Sequence, residues 1–247
     1  MIIYGKNPVK EALESDQPVN KIYIIKGKKT TFISKLFQTA RQKGIPVREI
    51  EKNKLQELAG DSGHQGVIAD LSQVSYADIE DIFKRAREKN ELPLIAILDE
   101  IQDPHNLGAI IRSAEAFGFH GIIIPKNRAT GLTETVTKTS AGAVAHIPIV
   151  RVINLASTID ELKKGNVWIA GTDQEAKELF NEADLNRSLG VVIGSEGKGI
   201  RPLIKKKCDF LVSIPMIGKV NSLNASVAAA IVFCEARTQR RAKKAIR

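Results

Sequence analysis

Cysteine is nearly absent from this chain: its 247 residues contain two, Cys208 and Cys234, neither in a C-x-x-C pattern. That argues against a disulfide-stapled secreted fold and sets the expectation of a reduced, cytoplasmic protein with structural thiols. Histidine is also scarce. His64, His105, His120 and His146 are scattered, with no two at metal-ligand spacing, so no metal centre is expected. No apolar run approaches the roughly 20 residues needed to span a bilayer. The longest, Ala225 to Cys234, is interrupted by Ser226 and reads as a buried helix. At the N-terminus Lys6 and Lys10 follow the short apolar opening instead of preceding it, which is not the layout of a signal peptide.

What is present is a soluble globular composition, 43% hydrophobic and 26% charged, in a length that accommodates one large domain or two modest ones. Charge is the less ordinary property. Thirty-seven Lys and Arg against 28 Asp and Glu give a formal +9, of which +4 falls in residues 1–75 and +5 in 76–247. Basic character shared along the whole chain points to a polyanionic partner, nucleic acid before membrane.

Apolar runs at Ile22–Ile25, Val47 onward and Val67–Leu71 alternate with helical patterns at Thr31–Lys43 and Lys54–Ala59. This predicts a compact α/β unit over residues 1–72. Tyr76–Asn90 is polar with Ile79, Ile82, Phe83 and Ala86 at helical spacing, a linking helix within a boundary at 73–92. From 93 to 247, short non-alternating runs follow at Leu94–Leu98, Gly121–Pro125, His146–Val150, Val167–Ala170, Leu189–Ile193 and Phe210–Ile214. Such runs suit parallel strands buried on both faces. Helices are expected at Leu107–Phe117, Leu155–Lys163 and Ser222–Arg237, and the basic stretch Arg240–Arg247 as a frayed end.

Three segments join strand ends to loops or helix starts, where open α/β sheets place ligands. The first is Asp103-Pro104-His105-Asn106-Leu107-Gly108, leading to Arg112. Asn106 is expected as the N-cap, and Arg112 lies nearly opposite the apolar stripe Leu107, Ile110, Ile111, Ala114 and Phe117. The second, Gly194-Ser195-Glu196-Gly197-Lys198-Gly199, has the order G-x-x-G-x-G. That fails both the dinucleotide fingerprint and the P-loop, so a Rossmann-type oxidoreductase is disfavoured. It reads as a flexible loop whose amides can approach a ligand, with Glu196 in it. The third runs from Ile214-Pro215-Met216 through Gly218 to Ser222-Leu223-Asn224, with Ser222 or Asn221 expected to cap the following helix. Lys205-Lys206-Lys207 reads as a solvated helix face.

Together and in order, these segments resemble the SpoU (TrmH-like) family of the SPOUT superfamily, the RNA ribose 2′-O-methyltransferases. Asn106 and Arg112 match the family's first motif, Gly194, Glu196 and Gly199 its second, and Ile214-Pro215-Met216, Gly218, Val220 and Ser222-Leu223-Asn224 its third. The resemblance is nearest to the RlmB type, which methylates a guanosine ribose in 23S ribosomal RNA. It implies a C-terminal α/β domain tied in a deep trefoil knot, and a small N-terminal substrate-binding domain resembling ribosomal protein L30e. It implies S-adenosyl-L-methionine as cofactor, held by Gly171, Thr172, Gly194, Ile214, Met216, Ser222 and Leu223, with no metal. Arg112 would position a phosphate and stabilise the forming alkoxide, with direct proton acceptance as the alternative role. Asn106, Glu196, Ser222 and Asn224 would orient it and the ribose, and Glu196 would be the partner of its guanidinium. A homodimer through the knot domain is also implied. A tRNA 2′-O-methyltransferase of the same family, and a non-catalytic RNA-binding protein on this fold, are the alternatives.

Overall fold

A strand covered on both faces has no polar side to show, and five-residue runs such as Leu94–Leu98 and Leu189–Ile193 are accordingly buried along their whole length. The computed structural model describes residues 2–14, 18–28, 30–60, 62–72, 75–219 and 222–245. It divides into a unit of Met1–Ser75 with Gly131–Glu134 and a unit of Tyr76–Thr130 with Thr135–Arg247.

The first unit runs β1 (Ile2–Tyr4), α1 (Lys6–Glu14), β2 (Val19–Ile25), α2 (Thr31–Gln42), β3 (Val47–Ile50), α3 (Lys52–Ala59) and β4 (Val67–Leu71). Its sheet has the order β1-β4-β2-β3, with β4 antiparallel to both neighbours and β2 parallel to β3. The stripe Val9, Ala12 and Leu13 of α1 joins Ile33, Leu36 and Ala40 of α2 in one core over Ile22, Ile24, Val67 and Ala69. The sequence reading passed over β1 and α1. Three residues give no strand period, and Pro8 inside the first helical turn hides a helix that tolerates it there.

The second unit contains α4 (Ile79–Glu88), β5 (Leu94–Leu98), α5 (Pro104–Ala116), β6 (Gly121–Pro125), α6 (Glu134–Thr139), β7 (Ile149–Val152), α7 (Leu155–Lys164), β8 (Trp168–Thr172), β9 (Glu178–Leu179), β10 (Leu189–Ile193), α8 (Pro202–Lys205), β11 (Phe210–Ser213) and α9 (Ala225–Ala245). Every recorded pair in its seven-stranded sheet is parallel, in the order β7-β6-β5-β10-β8-β11-β9. The chain leaves β5 outward through β6 and β7, returns to lay down β8, then inserts β10 between β5 and β8. Strands β5, β10, β8 and β11 are therefore consecutive neighbours. At about 4.8 Å per strand, the four loops leaving their carboxyl ends fall within roughly 15 Å.

The helix expected to link two domains is packed into the second unit. Ile82 belongs to a cluster with Ile95, Ile97, Leu155, Ile159 and Val192. A Cβ on Gly121 would come within 2.4 Å of Ile82, so the glycine lets α4 seat directly on β6. Helices α5 and α9 pack on each other, and Phe233 of α9 meets Phe119 with ring centroids 4.1 Å apart. The run expected to begin at His146 starts three residues later as β7, because Ala143–Ala145 forms a 3-10 turn ending at His146.

The C-terminal arginine expected in a frayed tail is a buried anchor. Arg240 donates to the carbonyls of Leu92 (2.6 Å), Pro93 (2.9 Å) and Arg187 (2.5 Å), and burial lowers its pKa to about 10. Beside it His120 is fully buried. Its Nδ1 accepts from the Leu94 amide at 3.0 Å, and its Nε2 lies 3.5 Å from Glu91, which also pairs with Arg237 at 2.9 Å. Burial lowers the His120 pKa to about 4 against the opposing pull of Glu91, so the imidazole is neutral in the native protein.

The sign of the resulting pH dependence follows from linkage. Between the unfolded value of 6.5 and the native value of about 4, the unfolded chain binds a proton that native His120 does not. His120 therefore makes stability fall as pH drops from 6.5 toward 4. Denaturant melts across this range, together with an NMR titration of the His120 ring centred near 4, check the direction.

Candidate functional site

The three segments singled out in the sequence leave β5, β10 and β11, all within the row of neighbouring strand ends. Helix α5 is capped not by Asn106 but by Asp103, whose side chain accepts from the His105 amide at 3.0 Å. Pro104 supplies the fixed φ of the first helical position and sets the cap one residue before it. That places Asn106 inside the first turn of the helix, 8% exposed, with its amide bonded to side chains from the other two segments. The Asn106 Nδ2 donates to Glu196 Oε1 at 3.1 Å, and its Oδ1 accepts from Asn224 Nδ2 at 2.8 Å. Asn224 Nδ2 also donates to Glu196 Oε1.

Asn224 closes the triangle and starts α9. Its Oδ1 accepts from the amides of Ser226 (2.9 Å) and Val227 (3.3 Å) and from the Ser226 hydroxyl (2.5 Å). The cap is thus Asn224, two residues after Ser222; Val220 and Asn221 lie outside the described residues. One amide serves both a helix terminus and a carboxylate.

The loop expected to be flexible is a tight hairpin. Ser195 and Gly199 exchange two backbone hydrogen bonds, of 3.1 and 2.9 Å, with Gly197 and Gly199 at φ +76° and +64°. A Cβ on Gly194 would stand 2.1 Å from the backbone carbon of Gly199, so only glycine allows the hairpin to fold back this closely. Its exit is clamped by Asp99 at the end of β5, a fully buried carboxylate that the sequence reading missed. Asp99 accepts from the Arg201 amide (2.9 Å), Nε (2.8 Å) and Nη2 (2.6 Å), and that partnership raises the Arg201 pKa. The available signal was an acidic residue standing immediately after an unbroken apolar strand.

Between these loops lies a cavity of about 520 Å³. Thr172, Gly194, Ile214, Met216, Ser222 and Leu223 line it, six of the seven residues expected to hold a cofactor. Gly171 is elsewhere: a Cβ there would meet Leu211 at 2.7 Å and Cys208 at 2.8 Å, so it serves the packing beneath β8. Glu196 reaches the cavity, whereas Asn106, Asn224 and Arg112 stand outside its wall. Arg112 is exposed and makes no hydrogen bond or ion pair among the described residues. Among the described residues Glu196 is not its partner; Glu196 Oε1 accepts from two asparagine amides instead. Asp173 and Lys205 line the cavity as a 2.5 Å ion pair, so Lys205 is not on a merely solvated helix face. Among the described residues no cluster of His, Cys, Asp and Glu could hold a metal ion, and no helix is long and apolar enough to cross a membrane.

Two substitutions measure what holds the site. Asn224→Ala removes a helix cap and two donors and should cost about 1–2 kcal/mol, whereas Asn224→Ser keeps a capping oxygen and should cost less. Arg201→Ala leaves the buried Asp99 carboxylate without its cation and should cost about 3 kcal/mol. Chemical denaturation of the three variants gives the order.

Known proteins resemble this chain in sequence and fold. The profile of the SpoU rRNA Methylase family matches residues 93–234, and that for RNA 2'-O ribose methyltransferase substrate binding matches residues 2–77. YacO of Bacillus subtilis (strain 168), a protein named for the TrmH family of tRNA/rRNA methyltransferases, is 48% identical over 233 residues, 94% of this chain and 93% of its own. A Staphylococcus aureus (strain MSSA476) protein named for the same family is 46% identical over 234 residues, 95% of this chain and 94% of its own. Among solved structures, the SpoU methyltransferase AviRb of Streptomyces viridochromogenes, in complex with AdoMet, superposes with a TM-score of 0.63 at 26% identity, covering 98% of this chain and 91% of that one. With its paired strand ends, its two matched segments and relatives alike over almost their whole length, the chain belongs to the SpoU rRNA methylase family.

Proposed function

We propose that this SpoU-family RNA methyltransferase methylates the 2′-hydroxyl of a guanosine ribose in 23S ribosomal RNA, using S-adenosyl-L-methionine held in the cavity beside Glu196. The observation that carries the reading is the Asn106–Glu196–Asn224 triangle, in which one side chain from each of three distant segments meets the other two at the cavity's edge.

The residues present fit that cofactor. Ile214, Met216 and Leu223 offer apolar contact to an adenine ring, and the strand-end backbone at Thr172 and Gly194 offers amide and carbonyl edges for its nitrogens. Glu196 is held by neutral amides, so its negative charge stays available to a cationic group. When bound, S-adenosylmethionine supplies an electrophilic methyl group on a sulfonium that leaves as a neutral thioether.

The work left to the protein is to place a ribose hydroxyl and to stabilise the charge that grows on its oxygen. A guanidinium is a poor proton acceptor but a strong paired donor, which suits Arg112 to a phosphate and a developing alkoxide. Its exposure, with no internal partner among the described residues, leaves those donors for RNA. Ser222, exposed on the cavity wall, has a hydroxyl able to orient the ribose. Asn106 and Asn224 act as positioning residues through Glu196. In the same reading, residues 1–72 hold the RNA, the knotted second domain pairs two copies, and the protein works in the cytoplasm.

Arg112→Ala should lower methyl transfer to RNA by about 100-fold or more while S-adenosylhomocysteine binding, measured by calorimetry, stays within about twofold. Near-normal transfer by that variant would remove Arg112 from the mechanism. Mapping ribose methylation in total RNA from cells with and without the gene should lose one guanosine site in 23S RNA; a lost site in tRNA would select the tRNA-modifying reading instead.

A further inference from the structure

The cavity lining is chemically mixed. Ile214, Met216 and Leu223 give it apolar surface; Asp173 and Lys205 add an ion pair for which the three sequence segments have no role. Asp173 follows β8 directly, and its backbone amide is tied to the Val212 carbonyl at 2.9 Å. Its Oδ1 accepts from the Glu175 amide at 2.9 Å, leaving Oδ2 to meet Lys205 Nζ at 2.5 Å. Lys205 ends α8, with its own amide bonded to the Arg201 carbonyl at 2.8 Å, so the clamp that holds the hairpin exit also sets the lysine.

Among the described residues the Lys205 ammonium, with three donors, meets Asp173 alone, and its side chain remains 35% exposed. The Asp173 side chain is 15% exposed. The ion pair raises the Lys205 pKa, keeping the ammonium charged at neutral pH. A cation and an anion 2.5 Å apart on a cavity wall complement a ligand group that itself carries both charges close together. An α-amino acid zwitterion is such a group.

Building on the cofactor reading above, we propose that Lys205 and Asp173 form the subsite for the amino-acid end of the cofactor, Lys205 donating to its carboxylate and Asp173 accepting from its ammonium. The adenosine end then lies against the apolar wall, and the pair selects ligands that keep the methionine-derived tail. Neither residue touches the reacting atoms; both act on binding.

Calorimetry with two inert ligands tests this without turnover. S-adenosylhomocysteine carries adenosine, a thioether and the zwitterion, whereas 5′-methylthioadenosine carries the first two alone. Wild-type protein should bind the former at least about tenfold more tightly. Lys205→Met and Asp173→Asn should each weaken S-adenosylhomocysteine by about tenfold and leave 5′-methylthioadenosine within about twofold, the latter also reporting an intact cavity in each variant. Equal loss of both ligands, or loss of neither, overturns the subsite. Wild-type protein that binds neither ligand overturns the cofactor reading itself, a distinct result.

Discussion

The site depends on the orientation of one primary amide. Asn224 could be turned over only by presenting its Nδ2 to the Ser226 and Val227 amides and its Oδ1 to a carboxylate and a carbonyl oxygen, both of which are repulsive. The helix terminus therefore fixes which edge of Asn224 is the donor. That donor edge fixes Asn106, whose Oδ1 must accept and whose Nδ2 must then donate to Glu196. The direction of each hydrogen bond is forced by the next, and the chain of choices begins in the backbone of α9.

Such a network has meaning only if the three segments arrive together, and the sheet order ensures that they do. Because β10 is inserted between β5 and β8, residues 106, 196 and 224 follow strands β5, β10 and β11, which lie within one run of four adjacent strands. Gly194 and the Asp99–Arg201 pair then hold the middle loop against its strand. Asp99 places a carboxylate where no water reaches it, and that is tolerable because three donors from a single residue surround it.

Strands β5, β6 and β10 could be read from the sequence to the residue, since an unbroken apolar run of five is what a doubly covered strand requires. The family motifs likewise marked the loops. What escaped was decided by partners far along the chain. Nothing near Arg240 announces that its fork will meet the carbonyls of Leu92 and Pro93, about 150 residues earlier. Asn106 and Ser222 carry the composition of caps, yet Pro104 and the reach of Asn224 gave those roles to Asp103 and Asn224. Gly171 looks like its fellow strand-end glycine, Gly194; one packs under side chains and the other under backbone, a difference visible only once neighbours are in place.

The arginines show how structure separates these roles. Arg201 is committed to the buried Asp99 carboxylate, Arg240 directs both Nη groups to backbone carbonyls, and Arg237 is paired with Glu91. Each was fixed when the chain folded, so none can turn to a ligand without undoing packing. Arg112 sits on a helix held by Leu107, Ile110, Ile111 and Ala114, all buried, while its own guanidinium is exposed with no internal partner among the described residues. A rigid base with an uncommitted head is what a group serving an external phosphate or alkoxide needs. The helix supplies position, and among the described residues no internal bond consumes the charge.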